Sequence, residues 1–127
     1  MRVSAEIVIE RPREAVWRWA SDPANRDRWR ADPAGAPAGA YEVTESEPPR
    51  RQVLEAVSGP PRFVSTLELF EDVRGTRVHQ TVDAGPSDAI SRIAFLFARP
   101  LVRRDMRREV ESQLSRLKEM VQLEAAL

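Results

Sequence analysis

Between Val82 and Ile90 the spacing of the residues that would face a core changes, and no other feature constrains the fold as much. Before that point the period is two: Leu67 and Leu69 oppose Thr66 and Glu68, and Thr76, Val78, Gln80 and Val82 alternate with Arg77, His79, Thr81 and Asp83. After it the spacing is three or four, through Ile90, Ile93, Phe97 and Leu101, then Val102, Met106, Val110, Leu114, Leu117 and Val121. A period of two belongs to a half-buried strand and the longer one to an amphipathic helix, so the chain predicts an α+β fold. Ser87 is placed to cap the helix and Asp88 to sit in its first turn. Beyond Pro100 one apolar stripe runs for about five turns. Proline lacks the backbone donor and its ring clashes with the preceding turn, which predicts a kink or a break near Arg99.

The first part of the chain follows the same logic. Val3, Ala5, Ile7 and Ile9 share one parity and Ser4, Glu6 and Glu10 the other, with Val8 as the exception, predicting a strand over 3–9. Pro12 suits the first turn of a helix over 12–20, which brings Ala15, Val16 and Trp19 onto adjacent turns. Asp22 can cap a second short helix over 24–29 with Pro23 at its start, turning Trp29 inward. Residues 32–39, rich in Pro, Gly and Ala, predict an irregular connection inside the domain. Strand patterns at 41–46, 51–57, 63–71 and 76–83, separated by Pro48-Pro49, Ser58 to Pro61 and Arg74-Gly75, predict an antiparallel meander.

Composition removes several functions. With 20 Lys and Arg against 20 Asp and Glu the net charge is zero, so no overall field recruits nucleic acid or anionic membranes. There is no cysteine and one histidine, which excludes a thiolate nucleophile and a zinc site of Cys or multiple His ligands. No cofactor and no bound metal are expected. The 127 residues suit a single domain spanning 1–127. The N-terminus lacks the apolar core of a signal peptide and no run suits a spanning helix, so a cytoplasmic protein without stable membrane insertion is expected.

Particular residues carry a resemblance: Ile9-Glu10-Arg11-Pro12-Arg13-Glu14-Ala15-Val16-Trp17, Ser21-Asp22-Pro23 with Trp29, Glu47 to Arg51, Gly75-Thr76-Arg77-Val78, and Leu114 to Lys118. In this order across nearly the whole chain they resemble the START-like or pollen-allergen-like (SRPBCC) superfamily, in particular its polyketide cyclase/dehydrase-like branch. The resemblance implies a helix-grip fold, in which a short curved antiparallel sheet with two small N-terminal helices grips a long, Pro-kinked C-terminal helix around an apolar pocket. It also implies that Trp17 and Trp29 pack the small helices onto the sheet. Between Trp29 and Tyr41, where the family usually carries a further strand or hairpin, this chain has only its Pro/Gly/Ala loop. A shortened sheet implies a small or open pocket, or one completed by a second subunit as a homodimer.

The inward strand positions and the helix stripe together give a candidate ligand pocket: Trp29, Tyr41, Leu54, Leu67, Leu69, Val78, Phe97, Leu101 and Met106, with Ser65 and Gln80 as inward polar groups. Gln52 and the Tyr41 hydroxyl can add to these. The same residues would equally make a filled core. Histidine is the side chain suited to general acid or base work near neutral pH, but His79 falls on the outward parity, an exposed strand histidine. No catalytic set maps onto the sequence. Residues 93–104 are apolar nearly all round, which suits burial first, then a lid or dimer contact, then a membrane-surface segment. Arg103, Arg104, Arg107 and Arg108 alternate with acidic residues as a solvated helix face does. Three functions follow: a binder of a small hydrophobic molecule that is also a cyclase or dehydrase, a lipid or quinone carrier or chaperone without chemistry, and an interaction module with a filled pocket.

Overall fold

The edge-to-edge order of the sheet is β1-β5-β4-β3-β2, with every neighbouring pair antiparallel. These strands are β1 (Arg2–Ile9), β2 (Tyr41–Glu47), β3 (Arg51–Ala56), β4 (Arg62–Asp72) and β5 (Gly75–Gly85); the helices are α1 (Arg13–Ala20), α2 (Pro23–Trp29) and α3 (Ala89–Ala126). The structure, a computed structural model, describes residues 2–30, 41–56, 62–85 and 89–126. The connection at 32–39, the turn at 58–61 and the proposed cap Ser87 lie outside them, and the side chains described in α3 begin at Arg104. The open sheet gripping one long helix is a helix-grip arrangement.

Local chemistry explains the element boundaries. The Asp22 carboxylate accepts the Ala24 N–H at 2.9 Å, so α2 begins where Asp22 caps and Pro23 needs no partner. At the other end of α2 the Arg116 guanidinium, from α3, donates to the Trp29 carbonyl at 3.2 Å. A cation there meets the negative end of the helix. The β4–β5 hairpin turns through Val73 and Arg74, with Asp72 opposite Gly75, and the Asp72 carboxylate accepts the Arg74 N–H at 2.9 Å.

Gly75 has φ 137°, and a Cβ there would collide with the Ile9 carbonyl oxygen and stand 2.8 Å from the Arg11 nitrogen. Only glycine lets the hairpin lie this close to the bend between β1 and α1. Next to it the buried Thr76 hydroxyl donates to the Arg11 carbonyl at 2.7 Å. These two adjacent residues fix where α1 leaves the sheet.

The inward parity inferred from sequence is the observed one. Val3, Leu67, Leu69, Val78 and Val82 are buried with Ile9, and against them pack Met106, Val110, Leu114, Leu117 and Val121 of α3 with Val16, Ala20 and Trp29 of the small helices. The opposite face of the sheet carries Glu6, Arg51, Glu68, Phe70, Arg77 and His79.

Two features differ from expectation. α3 is one continuous helix across Pro100, so of the kink or break expected near Arg99 the break does not occur. A proline removes one hydrogen bond from a ladder of 38 residues, and the stripe packed on β1 and β5 holds the helix in register. In β2 a bulge shifts the register between Val43 and Glu45, with Thr44 as the extra residue. Alternation over seven residues does not reveal such an insertion.

Candidate functional site

Neighbouring strands pair so that inward residues form rows across the sheet. One row runs Leu54, Ser65, Val82, Val3; the next runs Gln52, Leu67, Gln80, Ala5. Of the residues singled out for a pocket, Trp29, Leu54, Ser65, Leu67, Leu69, Val78, Gln80 and Met106 are all buried. The side chains of Tyr41, Phe97 and Leu101 lie outside those described. Trp29, Leu67, Leu69, Val78 and Met106 belong to one packed cluster.

The polar groups in this interior are few and connected. The Gln80 amide nitrogen, on β5, donates to the Ser65 hydroxyl on β4 at 3.2 Å and to the Gln113 amide oxygen on α3 at 3.3 Å. Gln80 and Gln113 are 1% and 2% exposed, so this network has no access to bulk water and ties the helix to the centre of the sheet. Among the described residues the Gln80 amide oxygen has no hydrogen-bond partner, and neither has the Trp29 indole N–H. A buried acceptor left alone costs about 1–3 kcal/mol, so folded chains rarely keep one without a use. Among the described residues, the buried polar side chains are Gln52, Ser65, Thr76, Gln80 and Gln113, all neutral.

Gln113 is the member that sequence reading missed. It lies three residues after Val110 and four before Leu117, inside the buried stripe; counting only apolar residues along the stripe passed over it. His79 sits on the outward face as expected, with Nδ1 3.7 Å from a Glu68 carboxylate oxygen. Arg104, Arg107 and Arg108 are exposed on α3, as a solvated face requires. Among the described residues, no group of His, Asp and Glu is arranged to hold a metal ion, and no helix is long and apolar enough to cross a membrane.

No protein-family model and no curated protein matches this chain. Solved structures do. TTHA0849 of Thermus thermophilus is 24% identical with a TM-score of 0.64, each chain covering 100% of the other. SA2116 of Staphylococcus aureus, a protein of unknown function, has a TM-score of 0.76 at 10% identity, over 100% of this chain and 96% of its own. DynU16, from the dynemicin biosynthetic locus, has a TM-score of 0.65 at 14% identity, over 95% of this chain but 47% of its own. At these identities the likeness establishes a shared α+β fold.

Proposed function

We propose that the chain binds a small hydrophobic molecule between the inner face of the sheet and α3, as a START-like domain of the cyclase/dehydrase-like branch that its sequence resembles. The observation that carries this reading is that, among the described residues, the Gln80 amide oxygen is unpartnered inside a largely apolar core whose other buried polar side chains are neutral. A neutral ligand with a hydroxyl or N–H would satisfy that oxygen while its apolar body packs against Leu54, Leu67 and Met106. The neutral character of the buried polar set supports binding as the primary activity. A cyclase or dehydrase on this scaffold would act by shaping its substrate through the amides of Gln80 and Gln113 and the Ser65 hydroxyl; a carrier would use the same groups for holding alone. The resemblance to the cyclase/dehydrase-like branch puts polyketide-type phenols among the first compounds to try.

β2 is an edge strand carrying Glu42, Glu45 and Glu47 and a bulge, features that oppose edge pairing. We therefore favour completion of the pocket within one chain over a homodimer built across that edge. Thermal melting and tryptophan fluorescence with a panel of fatty alcohols, quinols and polyphenols test the binding. Saturable stabilisation by at least one class, weakened in Gln80→Leu, is expected. No shift and no fluorescence change across the whole panel would overturn the reading.

A further inference from the structure

A cavity lies away from the inner face of the sheet and shares no residue with the site above. It is a cleft of about 420 Å³ between α1, α2 and the last turns of α3. Arg11 and Arg18 contribute to its lining, with the Trp19 indole and Val121 as apolar wall and Asp22 and Glu124 as the acidic members.

Its charges are unequally committed. The Asp22 carboxylate already accepts the Ala24 N–H at the start of α2, and the Asn25 amide donates to the Trp19 carbonyl at 3.2 Å. Among the described residues the buried Arg11 Nε has no acceptor, and neither Arg11 nor Arg18 takes part in an ion pair. A guanidinium is a donor only, so the unmatched N–H calls for an acceptor, and a carboxylate offers the matching bidentate geometry. The half-buried Trp19 beside it presents an aromatic surface suited to a ring. Asp22 and Glu124 select against ligands of higher negative charge, because a like charge in the same cleft repels them.

We propose that this cleft is a binding site for a small aromatic monocarboxylate, its carboxylate held by Arg11 and Arg18 and its ring against Trp19. The volume falls in the range of small-molecule sites, and this site is independent of what the sheet–helix interior holds.

The test uses the full-length chain labelled with nitrogen-15, following the three tryptophan indole signals during titration with benzoate, benzamide and inorganic phosphate; Trp19→Phe assigns the Trp19 signal. Benzoate is expected to shift Trp19 saturably while Trp29 stays still. Arg18→Gln, a change at an exposed residue that leaves the fold intact, should weaken benzoate about tenfold or more, the loss of one charged hydrogen bond. Arg11→Gln should do the same or more. Benzamide binding as well as benzoate, phosphate binding better than benzoate, an unaltered affinity in Arg18→Gln, or a shift confined to Trp29 would each overturn the proposal.

Discussion

Replacing Gly75 with alanine should be among the most damaging single changes outside the core. Its φ of 137° is a conformation that L residues rarely adopt, which by itself costs about 1–3 kcal/mol. The new methyl would also collide with the Ile9 carbonyl oxygen and stand 3.0 Å from the Glu10 Cα. These are backbone atoms, so no side chain can swing aside. The hairpin must retreat from the bend between β1 and α1, and retreat stretches the 2.7 Å hydrogen bond from Thr76 to the Arg11 carbonyl, worth about 1 kcal/mol. Together these give about 2–4 kcal/mol, a large part of the roughly 5–15 kcal/mol that holds a domain folded. Urea unfolding followed by far-ultraviolet circular dichroism measures it, with Val73→Ala as the control because Val73 is fully exposed at the turn. The control should stay within about 0.5 kcal/mol of the parent. A Gly75→Ala variant equally close to the parent would refute the argument from close approach.

The Gln80–Gln113 bond can be weighed by a double-mutant cycle with leucine at each site: either single change should cost about 1–2 kcal/mol and the double change less than their sum, and additive losses in urea unfolding would mean the two amides do not interact. Thr76→Val leaves the Arg11 carbonyl without its donor and should cost about 1–3 kcal/mol by the same assay, with a neutral result contradicting the observed bond. Asp72 gives a pH signature. Its carboxyl is held below its ordinary value first by the Arg74 side-chain hydrogen bond and then by the Arg74 backbone N–H, so its stabilising contribution is present above the unfolded value of 3.8 and lost as pH falls through the lower folded value. Asp72→Asn should therefore lie below the parent in urea midpoint at neutral pH and converge with it in acid; a gap that ignores pH would refute the assignment. Arg116→Met removes the donor to the Trp29 carbonyl and should accelerate amide exchange throughout α2, while unchanged exchange would show that Arg116 does not anchor that helix.

Much of this architecture was legible because parity and capping are local. The alternation from Thr76 to Val82 placed Gln80 inside and His79 outside without knowledge of any partner strand, and Asp22-Pro23 marked the start of α2 by chemistry contained in two residues. What local patterns did not carry depends on contacts distant in sequence. Arg11 and Gly75 meet across more than sixty residues, and the need for glycine there comes from the Ile9 carbonyl rather than from the turn alone. The continuity of α3 across Pro100 is a tertiary result, since a proline in an isolated helix argues for a break. Gln113 escaped because a polar residue on an apolar stripe reads as an interruption, and only Gln80 on a neighbouring strand makes it a partner. The cleft lined by Arg11, Arg18 and Trp19 depends on α3 returning past α1, a juxtaposition that no pattern in residues 11–25 announces.

Native mass spectrometry of the purified chain shows whether the interior around Gln80 receives a hydrophobic molecule. Spectra recorded gently enough to keep noncovalent adducts, and compared with the denatured mass, report ligand and stoichiometry together. After incubation with the compounds that stabilise the protein, a single adduct per chain is expected that survives in the parent and is diminished in Gln80→Leu. A chain that remains bare with every such compound, or an adduct held equally well by Gln80→Leu, would contradict it.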